Sequence, residues 1–266
     1  MSFEPEIRIV GERVKVLEGR KTLFESKLPQ VMKAIGRVTD RTTSSDILPE
    51  GIRLWRERGN AIAVGIELRP QRRTVRWLAE GSGASYGRRA RYEDRFLAFP
   101  YIVLLIVFRD GELCGFQQLY YRTAPLRSGH EDLLLPNLYN VAQGYRQRCW
   151  LCLQMLEDKV RALPWPGKID AVVDHVFSAA FNRSSEEHEG NSWWGSMRGL
   201  DPRVSSVEAW ERASRENGLF PLEIPWKRAG TTATQELNHM LGLVVALPRL
   251  RHARDLMALM AGAGKC

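Results

Sequence analysis

Residues 96–154 read FLAFPYIVLLIVFRDGELCGFQQLYYRTAPLRSGHEDLLLPNLYNVAQGYRQRCWLCLQ, and this stretch decides the architecture. Within it, residues 101–108 (YIVLLIVF) form an apolar run rich in β-branched side chains, too short for a membrane span and suited to a buried strand. Arg109-Asp110-Gly111 supplies a turn that reverses the chain into a second strand over residues 112–121. The pair is predicted to form a buried hairpin. A polar loop leads to a second apolar knot, Leu133-Leu134-Leu135-Pro136-Asn137-Leu138-Tyr139, and a glycine-bearing loop beyond it delivers Cys149 beside Trp150. A thiol placed just past a hairpin and a Pro-Asn turn is a candidate nucleophile.

Working outward, residues 52–56, 61–68 and 74–78 carry strand composition, separated by Arg58-Gly59-Asn60 and Arg69-Pro70-Gln71. Together with the hairpin they predict an antiparallel meander of about four or five strands. Upstream, two short strands are expected at 7–10 and 13–17, followed by a helix over 28–38 in which Leu28, Val31, Met32 and Ile35 fall at helical spacing. The polar run TDRTTSSD at 39–46 reads as a linker. Downstream, residues 150–163 and 169–181 carry helical stripes, the first stopped by Pro164-Trp165-Pro166-Gly167. Ser205 and Glu208 have capping-box spacing ahead of a helix that Gly218 would stop, and 237–260 reads as two short helices with a break at Pro248. The expectation is an α+β domain over 1–190, an antiparallel meander sheet with helices packed on one face, and a mainly helical C-terminal extension over 191–266.

Composition is that of an ordinary folded chain: 266 residues, 44% hydrophobic and 26% charged. The start MSFEPEIRIV lacks a basic n-region followed by an apolar segment, and no apolar run approaches the ~20 residues of a spanning helix. A cytoplasmic location without membrane contact is therefore expected, with the four cysteines, Cys114, Cys149, Cys152 and Cys266, as thiols. The net charge of +8 favours an acidic partner. Arg88-Arg89-Ala90-Arg91 is the clearest basic cluster, and a solvated loop accounts for it better than a nucleic-acid contact, since no helix-turn-helix, zinc-finger or RNP pattern accompanies it.

Several residues admit a chemical and a structural reading. Arg146 and Arg148 would favour a Cys149 thiolate, yet Cys149 reads equally as a small buried apolar residue. Cys149-Trp150-Leu151-Cys152 is a C-x-x-C without the βαβ context of a redox pair. Asn137 could donate to an oxyanion near a thioester, or simply form a turn with Pro136. Trp193-Trp194 is read as capping the core, and His175 as structural. The five histidines show no paired spacing, so neither metal nor cofactor is expected.

The order of these motifs resembles the prokaryotic ubiquitin-conjugating-enzyme-like family D, the family of the PRTRC-system B proteins. The resemblance lies in Leu48-Pro49 ahead of a sheet, Phe99-Pro100 leading a hydrophobic hairpin, Pro136-Asn137-Leu138-Tyr139, a glycine, Cys149-Trp150, and a helix ending HVFSAAFN at Asn182. It covers residues 45 to 185. It implies a ubiquitin-conjugating-like fold in which Cys149 accepts the carboxyl end of a ubiquitin-like modifier as a thioester and passes it to an amine. Asn137 and Tyr139 would then be the Asn-x-Tyr preceding the nucleophile, with Cys152 as a second thiol. Implied partners are the modifier, a ThiF-like activating enzyme and a JAB-type metallopeptidase. In place of the His-Pro-Asn of eukaryotic conjugating enzymes stands Leu135-Pro136-Asn137, without the bracing histidine. A non-catalytic scaffold of the same fold, binding the modifier or the activating enzyme, is the competing expectation, followed by a basic nucleic-acid-binding plasmid protein.

Overall fold

The protein's structure, a computed structural model, describes residues 6–10, 13–18, 21–27, 51–115, 117–144, 148–153, 156, 160, 163 and 167–246. It divides into two compact units, residues 1–46 and 47–266. In the first, β1 (Glu6–Val10), β2 (Arg13–Glu18) and β3 (Lys21–Lys27) form an antiparallel sheet in that order. The third strand is an addition to the two expected, because KTLFESK has little apolar alternation to announce it. The helix expected at 28–38 and the chain beyond 246 lie outside the described residues.

The second unit is α+β. Its larger sheet runs in the order β12 (Val141–Gln143), β13 (Cys149–Leu151), β10 (Gln118–Arg122), β8 (Tyr101–Arg109), β5 (Ala61–Leu68), β4 (Ile52–Arg58). Two short strands, β9 (Glu112–Leu113) and β11 (Asp132–Leu134), pair with β8 and β10, and β14 (Arg228–Thr232) pairs with β11. From Ile102 to Phe108 every residue of β8 is buried, which is why this strand reads as an unbroken apolar run rather than an alternating one. Asp110 and Gly111, at φ +57° and +77°, make the two-residue turn from β8 into β9. Asp110 N–H donates to the Asn60 carbonyl at 2.9 Å, locking this turn to the one between β4 and β5.

The meander is interrupted. β6 (Gln71–Leu78) leaves the sheet and pairs with β7 (Tyr92–Phe99) as a separate two-stranded hairpin, so that β5 lies against β8. The reason lies in β6 itself, where Arg72, Arg73, Thr74 and Arg76 are exposed and only Val75, Trp77 and Leu78 are buried. Such a strand carries too little apolar surface for a central position. The loop joining the two strands exposes Arg88, Arg89 and Arg91.

The helices divide between the two sheets rather than sharing one face. Helix α1 (Gly167–Ser178) packs on β6, burying Ile169, Val172, Val176 and Phe177 of the expected stripe. Two short helices, α2 (Ser184–Glu189) and α3 (Trp193–Met197), follow, and Trp193 and Trp194 are buried. Helix α4 (Val207–Glu216) packs on β7, and α5 (Ala233–Ala246) packs on β4, β5 and β8. The cap of α4 is Ser206, whose Oγ accepts the Ala209 N–H at 3.2 Å, one residue later than the capping box placed it. This packing also bears on the C-terminal segment. The compact units divide at 46/47, and α5, which lies past the expected 190/191 boundary, packs on strands that begin at Ile52.

Three side chains of α4 complete the open edge of β7. Glu211 accepts the Phe96 N–H at 3.1 Å, Ser214 Oγ accepts the Ala98 N–H at 2.8 Å, and the Trp210 indole donates to the Ala98 carbonyl at 2.8 Å. Backbone groups that a further strand would have paired are thus satisfied by one helix face. A single buried cluster runs from β5 and β8 through Val75 and Trp77 of the hairpin to α1, α3 and α4.

Candidate functional site

Cys149 opens β13, opposite Gln143 of β12, and was expected to start a helix. Strand pairing prevails there because the Leu151 N–H reaches the Gln117 carbonyl at 2.9 Å, while Leu156 and Val160 of the expected stripe are helical and buried. The Cys149 side chain has 0% exposure and lies within the core cluster. Burial pushes its thiol well above the ordinary value, the Glu236 carboxylate pushes the same way, and the Trp193 indole pulls against them. Arg148 was expected to favour the thiolate, but its Nε donates to Glu236 at 3.0 Å, and the other Glu236 oxygen accepts the Thr231 hydroxyl at 2.9 Å. The neighbouring cation is therefore neutralised. Arg146 lies outside the described residues.

Cys152 is half-buried just past β13, its N–H donating to the Asn140 carbonyl at 2.8 Å. Asn137 is fully buried, and neither atom of its amide has a hydrogen-bond partner. Its neighbour Asn140 is the anchored amide, donating to the Ala180 carbonyl at 3.0 Å and accepting the Asn182 N–H at 3.0 Å. Tyr139 is half-buried, with its ring 5.1 Å from Trp77 and 5.4 Å from Trp194. Of Cys149, Asn137, Tyr139 and Cys152, the residues the resemblance assigns to the site, only Tyr139 lines a cleft between the end of β6 and the start of α4.

That cleft, of about 200 Å³, opens between the end of β6 and the start of α4. Its floor is aromatic: Trp77, Tyr139 and Trp194. Trp77 is fixed by a parallel bridge to Phe181, in which the Leu78 N–H donates to the Phe181 carbonyl at 2.9 Å and the Phe181 N–H donates to the Arg76 carbonyl at 2.7 Å. Arg183, just before α2, and Arg198, just after α3, line the walls with Glu80 and residues 205–208. Burial raises the Tyr139 hydroxyl above its ordinary value, helped by Glu186 and opposed by Arg183 and Arg198. The two arginines were not singled out in the sequence, where they are isolated cations in polar stretches. Their one signal was the adjacent Trp193-Trp194 pair. A second depression holds Arg122, Glu131, Asp132 and Arg228, and its charges pair internally, Arg122 with Glu131 at 2.9 Å and Arg228 with Asp132 at 3.1 Å.

Among the described residues no group of three or more His, Cys, Asp or Glu side chains is placed to hold a metal ion, and no helix is long and apolar enough to cross a membrane. Comparison with family models, curated proteins and solved structures finds no match to this chain.

The buried thiol has a measurable consequence. A group whose ionised form is disfavoured in the fold contributes stability below its unfolded pKa and loses it as pH rises. Above about pH 8.5 the Cys149 thiol ionises in the unfolded chain first, which costs the native state at most about 1.4 kcal/mol per pH unit. Tyr120 and Tyr121, likewise raised by burial, add to the loss from about pH 10. Urea unfolding between pH 7.5 and 10 is expected to show wild type losing stability more steeply than Cys149→Ala. Parallel slopes would contradict the burial.

Proposed function

We propose that this chain works by binding, as a non-catalytic member of the ubiquitin-conjugating-like class that engages a ubiquitin-like modifier or its activating enzyme, and does not carry the modifier as a thioester on Cys149. The observation that carries this reading is the 0% exposure of Cys149 with its thiol held protonated. Thioester formation needs a thiolate that an incoming carbonyl can reach, and both conditions are opposed at this sulfur. The α+β class with an antiparallel sheet supports the wider assignment. The finer one rests on the resemblance of residues 136–139 and 149–150 to the conjugating-like family.

A second reading keeps the transferase chemistry and moves it to Cys152, favoured by the half-buried position of that thiol. Incubating the full chain with a ThiF-like activating enzyme, its modifier and ATP separates the two. The expected result is co-elution with the modifier or the activating enzyme and no reductant-sensitive adduct. An adduct abolished by Cys149→Ala overturns the proposal, and one abolished only by Cys152→Ala establishes the second reading.

A further inference from the structure

The cleft at the start of α4 brings together groups that neither reading above uses. Arg183 and Arg198 line it from two different helix ends. Neither guanidinium is within ion-pair distance of a carboxylate among the described residues. The opposite wall, Ser206 to Glu208, is the N-cap and start of the ten-residue helix α4, where the dipole favours an anion although the Ala209 N–H is already met by Ser206 Oγ.

The acids nearby do not cancel these cations. Glu208 is held by Arg95 at 2.9 Å, Glu186 is not among the residues lining the cleft, and Glu80 is exposed on the rim. Trp77 and Trp194 are only 2% and 5% exposed, so recognition in the cleft is by charge and hydrogen bonds more than by ring contact. A volume of about 200 Å³ falls below the roughly 300–1,000 Å³ of pockets that enclose a whole small molecule. It suits a single charged group.

We infer that this cleft binds a phosphoryl group, presented either by a small diphosphate-type molecule or by a phosphorylated side chain of a partner. Two arginines from separate helix ends and a helix N-terminus line one cleft, a set suited to a multiply charged tetrahedral group, whereas a carboxylate is satisfied by one fork. The inference stands whether or not the chain serves a ubiquitin-like pathway.

The test is calorimetric titration of the full chain at low ionic strength, in a phosphate-free buffer, with inorganic pyrophosphate, a phosphoserine peptide and malonate in separate runs. Saturable one-to-one binding is expected for pyrophosphate or the phosphopeptide, and the tighter of the two identifies the source. Arg198→Gln, at an exposed position, is expected to weaken it by about tenfold to a hundredfold, the size of a lost charge-assisted hydrogen bond. Glu80→Gln is expected to tighten it, a gain that a structural defect would not produce. No saturable binding overturns the inference, as does unchanged affinity in Arg198→Gln, while malonate binding as tightly as pyrophosphate overturns the phosphoryl assignment.

Discussion

Replacing Trp210 with alanine is expected to lower the unfolding free energy by about 3–5 kcal/mol, the cost of removing a large buried aromatic side chain. Trp210 is fully buried, with ring centroids 5.4 Å from Phe99 and 6.1 Å from Trp77. Alanine would also leave the Ala98 carbonyl without its indole donor, adding about 1–3 kcal/mol if water does not reach it. Trp210→Phe keeps most of the ring volume and loses the donor, so it should fall between the two. Denaturant unfolding of the three proteins checks the order. Trp210→Ala within about 1 kcal/mol of wild type would mean that the cluster is not packed as described.

The second large effect is at Glu236. Its side chain is 5% exposed and its partner Arg148 14%, with the pair 3.0 Å apart beside Cys149. Glu236→Ala would strand a guanidinium away from water, for which a loss of about 3 kcal/mol is expected, the lower end of the range for breaking a buried pair. Removing both charges is a different matter. Arg148→Met combined with Glu236→Leu is expected to recover most of that loss, because two apolar groups in place of a buried ion pair often come out neutral. The melting temperature of the double variant relative to Glu236→Ala reads this directly. A double variant as unstable as the single one would show that the pair serves as more than mutual compensation.

Much of the sheet was legible in the sequence. The apolar run at 101–108, the Asp110-Gly111 turn and the strand at 61–68 emerge from composition and turn chemistry alone, and each forms where expected. The stripe of α1 was legible for the same reason, since Ile169, Val172 and Val176 repeat at helical steps. Partnership between strands was not. Periodicity says that β6 is extended but not that it pairs with β7 and leaves β5 to β8, a choice made by long-range burial. The candidate site shows the same limit more sharply. Arg148 adjoins Cys149 in sequence and invited an activated thiolate, whereas the carboxylate that captures it lies 88 residues away. Tyr139 was singled out only for its place in the motif before Cys149, whereas it lies on the floor of a cleft that Cys149 does not line. Arg183 and Arg198 could not be joined from the sequence, because only the packing of α2 and α3 against β12 brings their flanking residues to one opening.

The helix that stands in for a missing strand beside β7 also governs what happens when the molecule is heated. While α4 is docked, Phe96 and Ala98 offer no unpaired backbone to a neighbouring molecule. Once it detaches, the hairpin presents a ready template for strand addition between copies. Loss of that one helix therefore turns a reversible opening into a route to polymer, and thermal inactivation of this protein should be limited by aggregation that grows with its concentration.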